Sequence, residues 1–137
     1  MGRRRQAREI ALQALYIADS AGLPGPEPFN IVNRREELDD EKTLEFAKEL
    51  YSGVMDARPE LDKHIQATAQ NWAMPRMACV DRNVLRLASF ELLMRNDTPV
   101  NVVIDEAIEI ARKYSTEDST KFINGILDKI KEHRPKG

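Results

Sequence analysis

The chain has 137 residues and a formal net charge of −2, with 42% hydrophobic and 32% charged residues. This composition fits a soluble globular protein of one compact domain with a buried core. The single cysteine, Cys79, excludes an intrachain disulfide and favours a reducing, cytoplasmic location. No apolar stretch reaches the roughly 20 residues that a membrane-spanning helix requires.

The amino-terminal segment is strongly basic, because Arg3, Arg4, Arg5 and Arg8 lie within the first eight residues. An apolar helical pattern starts among them and predicts a helix over about residues 4–20. Arginines at a helix start oppose the helix dipole, yet their planar guanidinium groups suit phosphate oxygens and stack on bases. The pattern therefore favours contact with RNA or DNA, and a solubilising tail is the alternative.

The next segment predicts a loop over 22–28, in which Gly22 ends the first helix, and a short helix over 29–35. A second long helix is predicted to begin after an N-cap at Asp39 or Asp40. Pro59 fits the first turn of a further helix, so we expect a break before it. The apolar residues of these two helices are Leu44, Ala47, Leu50, Tyr51 and Val54, then Leu61, Ile65, Ala69 and Trp72.

The second half of the chain predicts three helices after a break at Met74-Pro75. The first, over about 77–95, has apolar residues on several faces and is expected to be central. A second follows from about Val103 to Tyr114, and a capping box from Ser115 to Asp118 is expected to start the last. In all, the pattern indicates six or seven helices and no convincing strand, and it predicts an all-α fold.

Two details of the last helix are also predicted. Asn124-Gly125 resembles a hairpin turn, but the apolar period continues through it, so we expect an unbroken helix. Gly125 is then expected to mark a close helix–helix contact, because glycine lowers helix propensity by about 1 kcal/mol relative to alanine. The tail from His133 to Gly137 is expected to fray.

Few residues suggest catalysis or metal binding. His64 and His133 are isolated in the sequence, and with a single cysteine we expect no zinc site and no cofactor. Cys79 as a nucleophile competes with the simpler interpretation of a small core or boundary residue. Carboxylate pairs such as Glu106 and Glu109 are interpreted as a solvated helix face. Glu106 and Glu91 each lie among apolar residues, so both are expected to be partly buried and paired, Glu91 with Arg95. We expect no enzymatic activity.

In addition to the amino-terminal arginines, the last helix contains a basic–aromatic pair, Lys121-Phe122. Phe122 is open to two interpretations, a core residue or a stacking surface. Tyr16 is open to three, since its ring could stack on a base, contact a partner or belong to the core.

Four segments, in order along essentially the whole chain, resemble the NusB family of bacterial transcription antitermination factors. They are RRRQAREIALQALY at 3–16, VDRNVLRLASFEL at 80–92, TPVNVVIDEAIE at 98–109 and EDSTKFINGILD at 117–128. The resemblance implies an all-α fold of about seven helices in a single compact domain. It further implies two small perpendicular helical bundles, over about 1–57 and 58–134.

The resemblance also implies a function. Members of this family bind the boxA element of ribosomal RNA leader transcripts as single-stranded RNA, together with NusE, a small-subunit ribosomal protein. Other Nus factors and RNA polymerase complete the antitermination complex, and some members form homodimers. The implied RNA contacts are the arginine-rich start, chiefly Arg5 and Arg8, with Asp118, Lys121 and Phe122. Tyr16 and Asp81 are the implied candidates for the NusE interface.

Three functions thus stay open at this point. The first is an antitermination factor whose first and last helices bring Arg8 and Lys121 into one RNA-binding patch. The second is the RNA-anchoring module of a ribosomal RNA cytosine methyltransferase, which the lack of a methyl-donor domain in these 137 residues disfavours. The third is a helical adaptor that binds only proteins, through acidic partners of the arginines.

Overall fold

The computed structural model describes residues 2–36 and 40–135. Across those two ranges it contains six α-helices, two short 3-10 helices and no strand, so the prediction of an all-α fold is confirmed. The α-helices are α1 (Arg3–Ala21), α2 (Glu27–Glu36), α3 (Glu41–Thr68), α4 (Cys79–Met94), α5 (Val100–Tyr114) and α6 (Glu117–Ile130). None of the helices in the described part of the chain is long and apolar enough to cross a membrane.

The chain divides into two compact units, an amino-terminal unit (Met1–Asp56) and a carboxy-terminal unit (Ala57–Gly137). The boundary falls inside α3, so the amino-terminal unit contains α1, α2 and the first half of α3. The carboxy-terminal unit contains the rest of α3 with α4, α5 and α6.

In the amino-terminal unit, α1 packs against α2. The apolar residues of α1 form one buried face of the helix, on which Ile10, Ala11 and Leu15 are at most 2% exposed. α1 ends as expected at Gly22, which adopts a φ of 65° that favours glycine and donates its N–H to the carbonyl of Ala18. The following helix, α2, is longer than the predicted 29–35 and shortens the loop to residues 22–26.

Two polar anchors fix α3 in the amino-terminal unit. Asp40 is the N-cap, since its Oδ1 accepts the Lys42 N–H at 3.2 Å and its Oδ2 accepts the Thr43 hydroxyl at 2.7 Å. The alternative cap, Asp39, lies outside the described residues. Tyr51 donates its hydroxyl to the Gly25 carbonyl at 2.7 Å, and burial raises the pKa of this phenol.

The predicted break before Pro59 is wrong, because α3 runs from Glu41 to Thr68 with Pro59 inside it. An interior proline costs a helix about 3 kcal/mol through one lost hydrogen bond and a clash with the preceding turn. The flanking turns carry Val54 and Leu61, both fully buried, and burial of each such side chain stabilises by about 1.5–3 kcal/mol. Burial of Val54 and Leu61, before and after the exposed Pro59, therefore outweighs the free-energy cost of the proline in the helix.

In the carboxy-terminal unit, α4 contacts both α5 and α6, and these two helices also contact each other. α4 carries buried polar groups as well as apolar ones. Arg86, 4% exposed, donates to both carboxylate oxygens of Asp62 at 2.8 and 3.0 Å, and to Asn83 Oδ1 at 3.0 Å. This bidentate pair joins α4 to the second half of α3.

Two predictions for the end of the chain are wrong. Gly125 is exposed, and a Cβ added to it would meet no atom within 4 Å, so it marks no close helix contact. The tail is held at Arg134, whose guanidinium donates to the carbonyls of Arg95 and Thr98 at 2.9 and 2.7 Å. The last two residues of the predicted tail, 136 and 137, lie outside the described residues. α6 is unbroken across Gly125, as expected.

Candidate nucleic-acid interface

The start of α1 presents the arginine cluster of the sequence. Arg3, Arg4 and Arg5 occupy its first three positions, after the N-cap residue Gly2, which makes no side-chain cap. The first turn of α1 contains no acidic residue. Arg3 and Arg4 are exposed and Arg5 is half-buried, so three arginines begin one helix.

Contacts within the amino-terminal unit hold two of these side chains. Arg3 Nη1 lies 2.8 Å from Asp40 Oδ2, although 79% of the Arg3 side chain is exposed. The Arg4 guanidinium lies over the Phe46 ring, 4.2 Å from its centroid. The Thr43 hydroxyl, together with the positive charge of Arg3, holds the pKa of Asp40 below its ordinary value.

Arg8 differs from the other three arginines because it is only 3% exposed. Its guanidinium carbon lies 5.7 Å from the centroid of the same Phe46 ring. The helical period explains the burial, since Arg8 lies between Ala7 and Ile10 and Ala11 on the covered side of α1. A buried guanidinium cannot grip a phosphate in this conformation, so the structure favours a packing role for Arg8.

A second candidate surface lies at the start of α6. Asp118 and Lys121 are exposed and Phe122 is half-buried, which makes Phe122 neither a core residue nor a fully open ring. The predicted capping box from Ser115 to Asp118 is wrong in its register. Thr116 is the N-cap and accepts the Ser119 N–H at 3.1 Å, so the Asp118 carboxylate is not the capping partner.

Trp72 belongs to this surface, and the sequence interpretation missed it. α3 ends at Thr68, so Trp72 lies in the following loop and not on the apolar stripe of a helix, as predicted. The indole is 52% exposed, and its ring centroid lies 6.0 Å from that of Phe122. The available signal was Pro75, which disfavours helix for the residue before it and placed a break close to Trp72.

The two candidates for a protein interface have different environments. Tyr16 is 43% exposed on α1, which makes it accessible to a partner and rules out the core interpretation. Asp81 is 7% exposed, and its carboxylate accepts the hydroxyls of Ser115 and Ser119, both at 2.7 Å. Asp81 thus ties the start of α4 to the junction between α5 and α6. Its role at a NusE interface stays a prediction.

The single cysteine and the two histidines are the residue types most often found at catalytic or metal sites. Cys79 is partly buried at the first position of α4, which fits a boundary residue. His64 and His133, isolated in the sequence, come together with ring centroids 6.1 Å apart. Within residues 2–36 and 40–135, no three histidine, cysteine, aspartate or glutamate side chains form a group that could hold a metal ion.

Most of the predicted RNA-binding residues, together with Trp72, therefore lie on two surfaces. The α1 surface (Arg3, Arg4 and Arg5) belongs to the amino-terminal unit, and the α6 surface (Trp72, Asp118, Lys121 and Phe122) belongs to the carboxy-terminal unit. That Arg8 and Lys121 share one patch stays a prediction. Together, the fold and these surfaces define a small all-helical protein with candidate nucleic-acid-binding surfaces.

The chain belongs to the NusB family, whose model matches residues 5–132. It is 46% identical over 138 residues to the transcription antitermination protein NusB of Elusimicrobium minutum, covering 100% of this chain and 99% of that protein. It is also 46% identical over 135 residues to the protein of the same name from Geobacter sulfurreducens, covering 98% of both chains.

Solved structures agree with this assignment. T. maritima NusB superposes with a TM-score of 0.87 at 38% identity, covering 96% of this chain and 92% of that one. A crystal structure of the antitermination factors NusB and NusE in complex with double-stranded RNA contains a chain with a TM-score of 0.88 at 29% identity. That match covers 95% of this chain and 96% of the other.

Proposed function

We propose that this protein is a transcription antitermination factor that binds boxA RNA of ribosomal RNA leaders together with NusE. The observation that carries the proposal is the family match over residues 5–132, which includes the whole α6 surface and, from the α1 surface, Arg5. The curated relatives, which the chain covers almost completely, carry the antitermination name. This supports an antitermination factor over a methyltransferase module. In this role the protein acts in the cytoplasm, without catalysing a reaction, on RNA polymerase with other Nus factors.

The geometry supplies the two elements that binding of single-stranded RNA requires, which are cations for the phosphates and rings for unstacked bases. Arg3, Arg4 and Arg5 provide guanidinium groups at one helix start. Lys121 provides an exposed ammonium, and the half-buried Phe122 follows it in the chain. Asp118, exposed one turn before Phe122, provides an acceptor for base amino groups.

A salt titration tests the proposal. Three or four phosphate contacts predict that the logarithm of the affinity for single-stranded boxA RNA falls with the logarithm of salt concentration, with a slope of about −2 to −3. Affinity is measured by the anisotropy of labelled RNA, with and without NusE, and against unrelated and double-stranded RNA. A flat salt response, or equal affinity for unrelated RNA, would refute the proposal.

A matched pair of variants locates the contacts. Arg4→Ala removes one exposed arginine from the α1 surface and is expected to make the slope about 0.7 less steep. Arg35→Ala removes an exposed arginine of the same unit from the last turn of α2, and should leave the slope unchanged.

Light scattering of the free protein and of its mixture with NusE measures whether the protein forms the homodimer that the resemblance allows.

A further inference from the structure

Trp72 is the single tryptophan of the chain and is the most exposed large hydrophobic side chain among the residues that the structure describes. Its ring plane is tilted by 57° from that of Phe122, at a centroid distance of 6.0 Å. At this angle and distance the two rings form a tilted aromatic pair and are not stacked face to face. An exposed indole beside a second aromatic ring is an apolar surface patch, and such patches often mark binding sites.

Hydrogen bonds hold the loop that carries Trp72. The Gln66 amide nitrogen donates to the carbonyls of Ala69 and Trp72 at 3.1 and 3.0 Å, and its oxygen accepts the Met74 N–H at 2.9 Å. The Trp72 N–H donates to the Ala69 carbonyl at 3.0 Å. These bonds fix the backbone that exposes Trp72. Binding of a ligand to the indole would therefore cost little conformational entropy of the loop.

The α6 surface carries charges of both signs, the exposed Asp118 and Lys121, so the two aromatic rings are the feature that favours a ligand with flat rings. The segment between α3 and α4, residues 69–78, contains one charged residue, the exposed Arg76, and no acidic residue. Lys121 is exposed next to Phe122 in the chain. Trp72 is flanked in the chain by Asn71 and Ala73, which are both exposed.

We propose that Trp72 and Phe122 form a stacking platform for an unpaired base of the bound RNA, and that Gln66 is a positioning residue for Trp72. The proposal rests on the proposed function and adds a base-binding site to it. Lys121 and Arg76 would supply cations for the phosphates that flank the stacked base.

The single tryptophan makes this testable with the intact protein. Its fluorescence is recorded while single-stranded boxA RNA is added, and stacking of a base is expected to quench it. Affinity is measured separately with labelled RNA for Trp72→Leu, which removes the aromatic face, and for Trp72→Phe, which retains one. Loss of base stacking predicts about 5- to 150-fold weaker binding for Trp72→Leu, and less than about threefold weaker binding for Trp72→Phe.

Val102→Ala is the matched control, because Val102 is an exposed apolar residue of the same unit, 44% exposed on α5, and should not change affinity. Gln66→Met removes the amide of the positioning residue. In that variant, RNA binding should weaken and acrylamide should quench the free protein's tryptophan differently from wild type. Replacing Gln66 by Asn tests whether a shorter amide restores part of the effect.

The outcomes separate this inference from the proposed function. If wild-type protein binds boxA RNA, but its fluorescence does not change and Trp72→Leu binds equally well, the platform is refuted while RNA binding stands. If NusE alone changes the fluorescence and RNA does not, Trp72 belongs to a protein interface and the platform is again refuted. If wild-type protein does not bind RNA at all, the proposed function fails first.

Discussion

Replacing Arg8 by alanine distinguishes a packing arginine from an RNA-binding one. The side chain is 3% exposed, and its guanidinium lies 5.7 Å from the Phe46 ring centroid. Truncation removes two buried methylene groups, worth about 1.6 kcal/mol together, and a cation–π contact worth about 0.5–2 kcal/mol. Arg8→Ala should therefore lower the free energy of unfolding by about 2–4 kcal/mol.

For a chain of this length, 1 kcal/mol corresponds to about 3 °C in Tm, so Arg8→Ala should melt about 6–12 °C lower. Arg5→Ala is the comparison, because Arg5 is only half-buried and lies in the first turn of α1. Its stability should change by less than about 0.5 kcal/mol. Melting is followed by circular dichroism, and RNA binding is measured at a temperature where both variants are folded.

Arg8→Met gives a second control, since methionine retains an unbranched buried side chain without the charge and should recover part of the lost stability. The expected pattern is loss of stability in Arg8→Ala and loss of RNA affinity in Arg5→Ala. If Arg8→Ala melts within about 2 °C of wild type and loses RNA affinity, the packing role is wrong and Arg8 binds RNA directly.

Three further substitutions test details of the fold. Gly125→Ala should raise the free energy of unfolding by about 0.5–1 kcal/mol in urea titrations, because the position is helical and open; a loss of stability would contradict this. Thr116→Ala should lower it by about 1 kcal/mol, whereas Asp118→Ala should retain the cap and change chiefly RNA affinity; equal losses of stability would restore the capping role of Asp118. Thr43→Val removes a donor to Asp40, so the Asp40 pKa should rise towards its ordinary value, as NMR titration of the carboxyl carbon would show. Because the folded pKa is depressed, Asp40 contributes stability above about pH 4 that is lost as the pH falls through the folded pKa, and Thr43→Val should weaken that dependence.

The positions of most helices follow from the sequence alone. The 3.6-residue apolar period and the Gly and Pro signals located α1, α4, α5 and α6 to within a few residues. The basic start of α1 and the Lys121-Phe122 pair were equally visible, because charge and residue type do not depend on folding. Local chemistry was sufficient for these features.

Tertiary packing decided the features that local patterns misjudged. α3 continues through Pro59 because buried side chains on both sides outweigh the local cost. Arg8 is buried, although an RNA contact was predicted for it. Gly125 is exposed, although a close helix–helix contact was predicted for it. Trp72 meets Phe122, which is distant from it in sequence, so no local pattern reports this contact. Periodicity reports which face of a helix is apolar, whereas burial of an individual side chain depends on which distant residues pack against it.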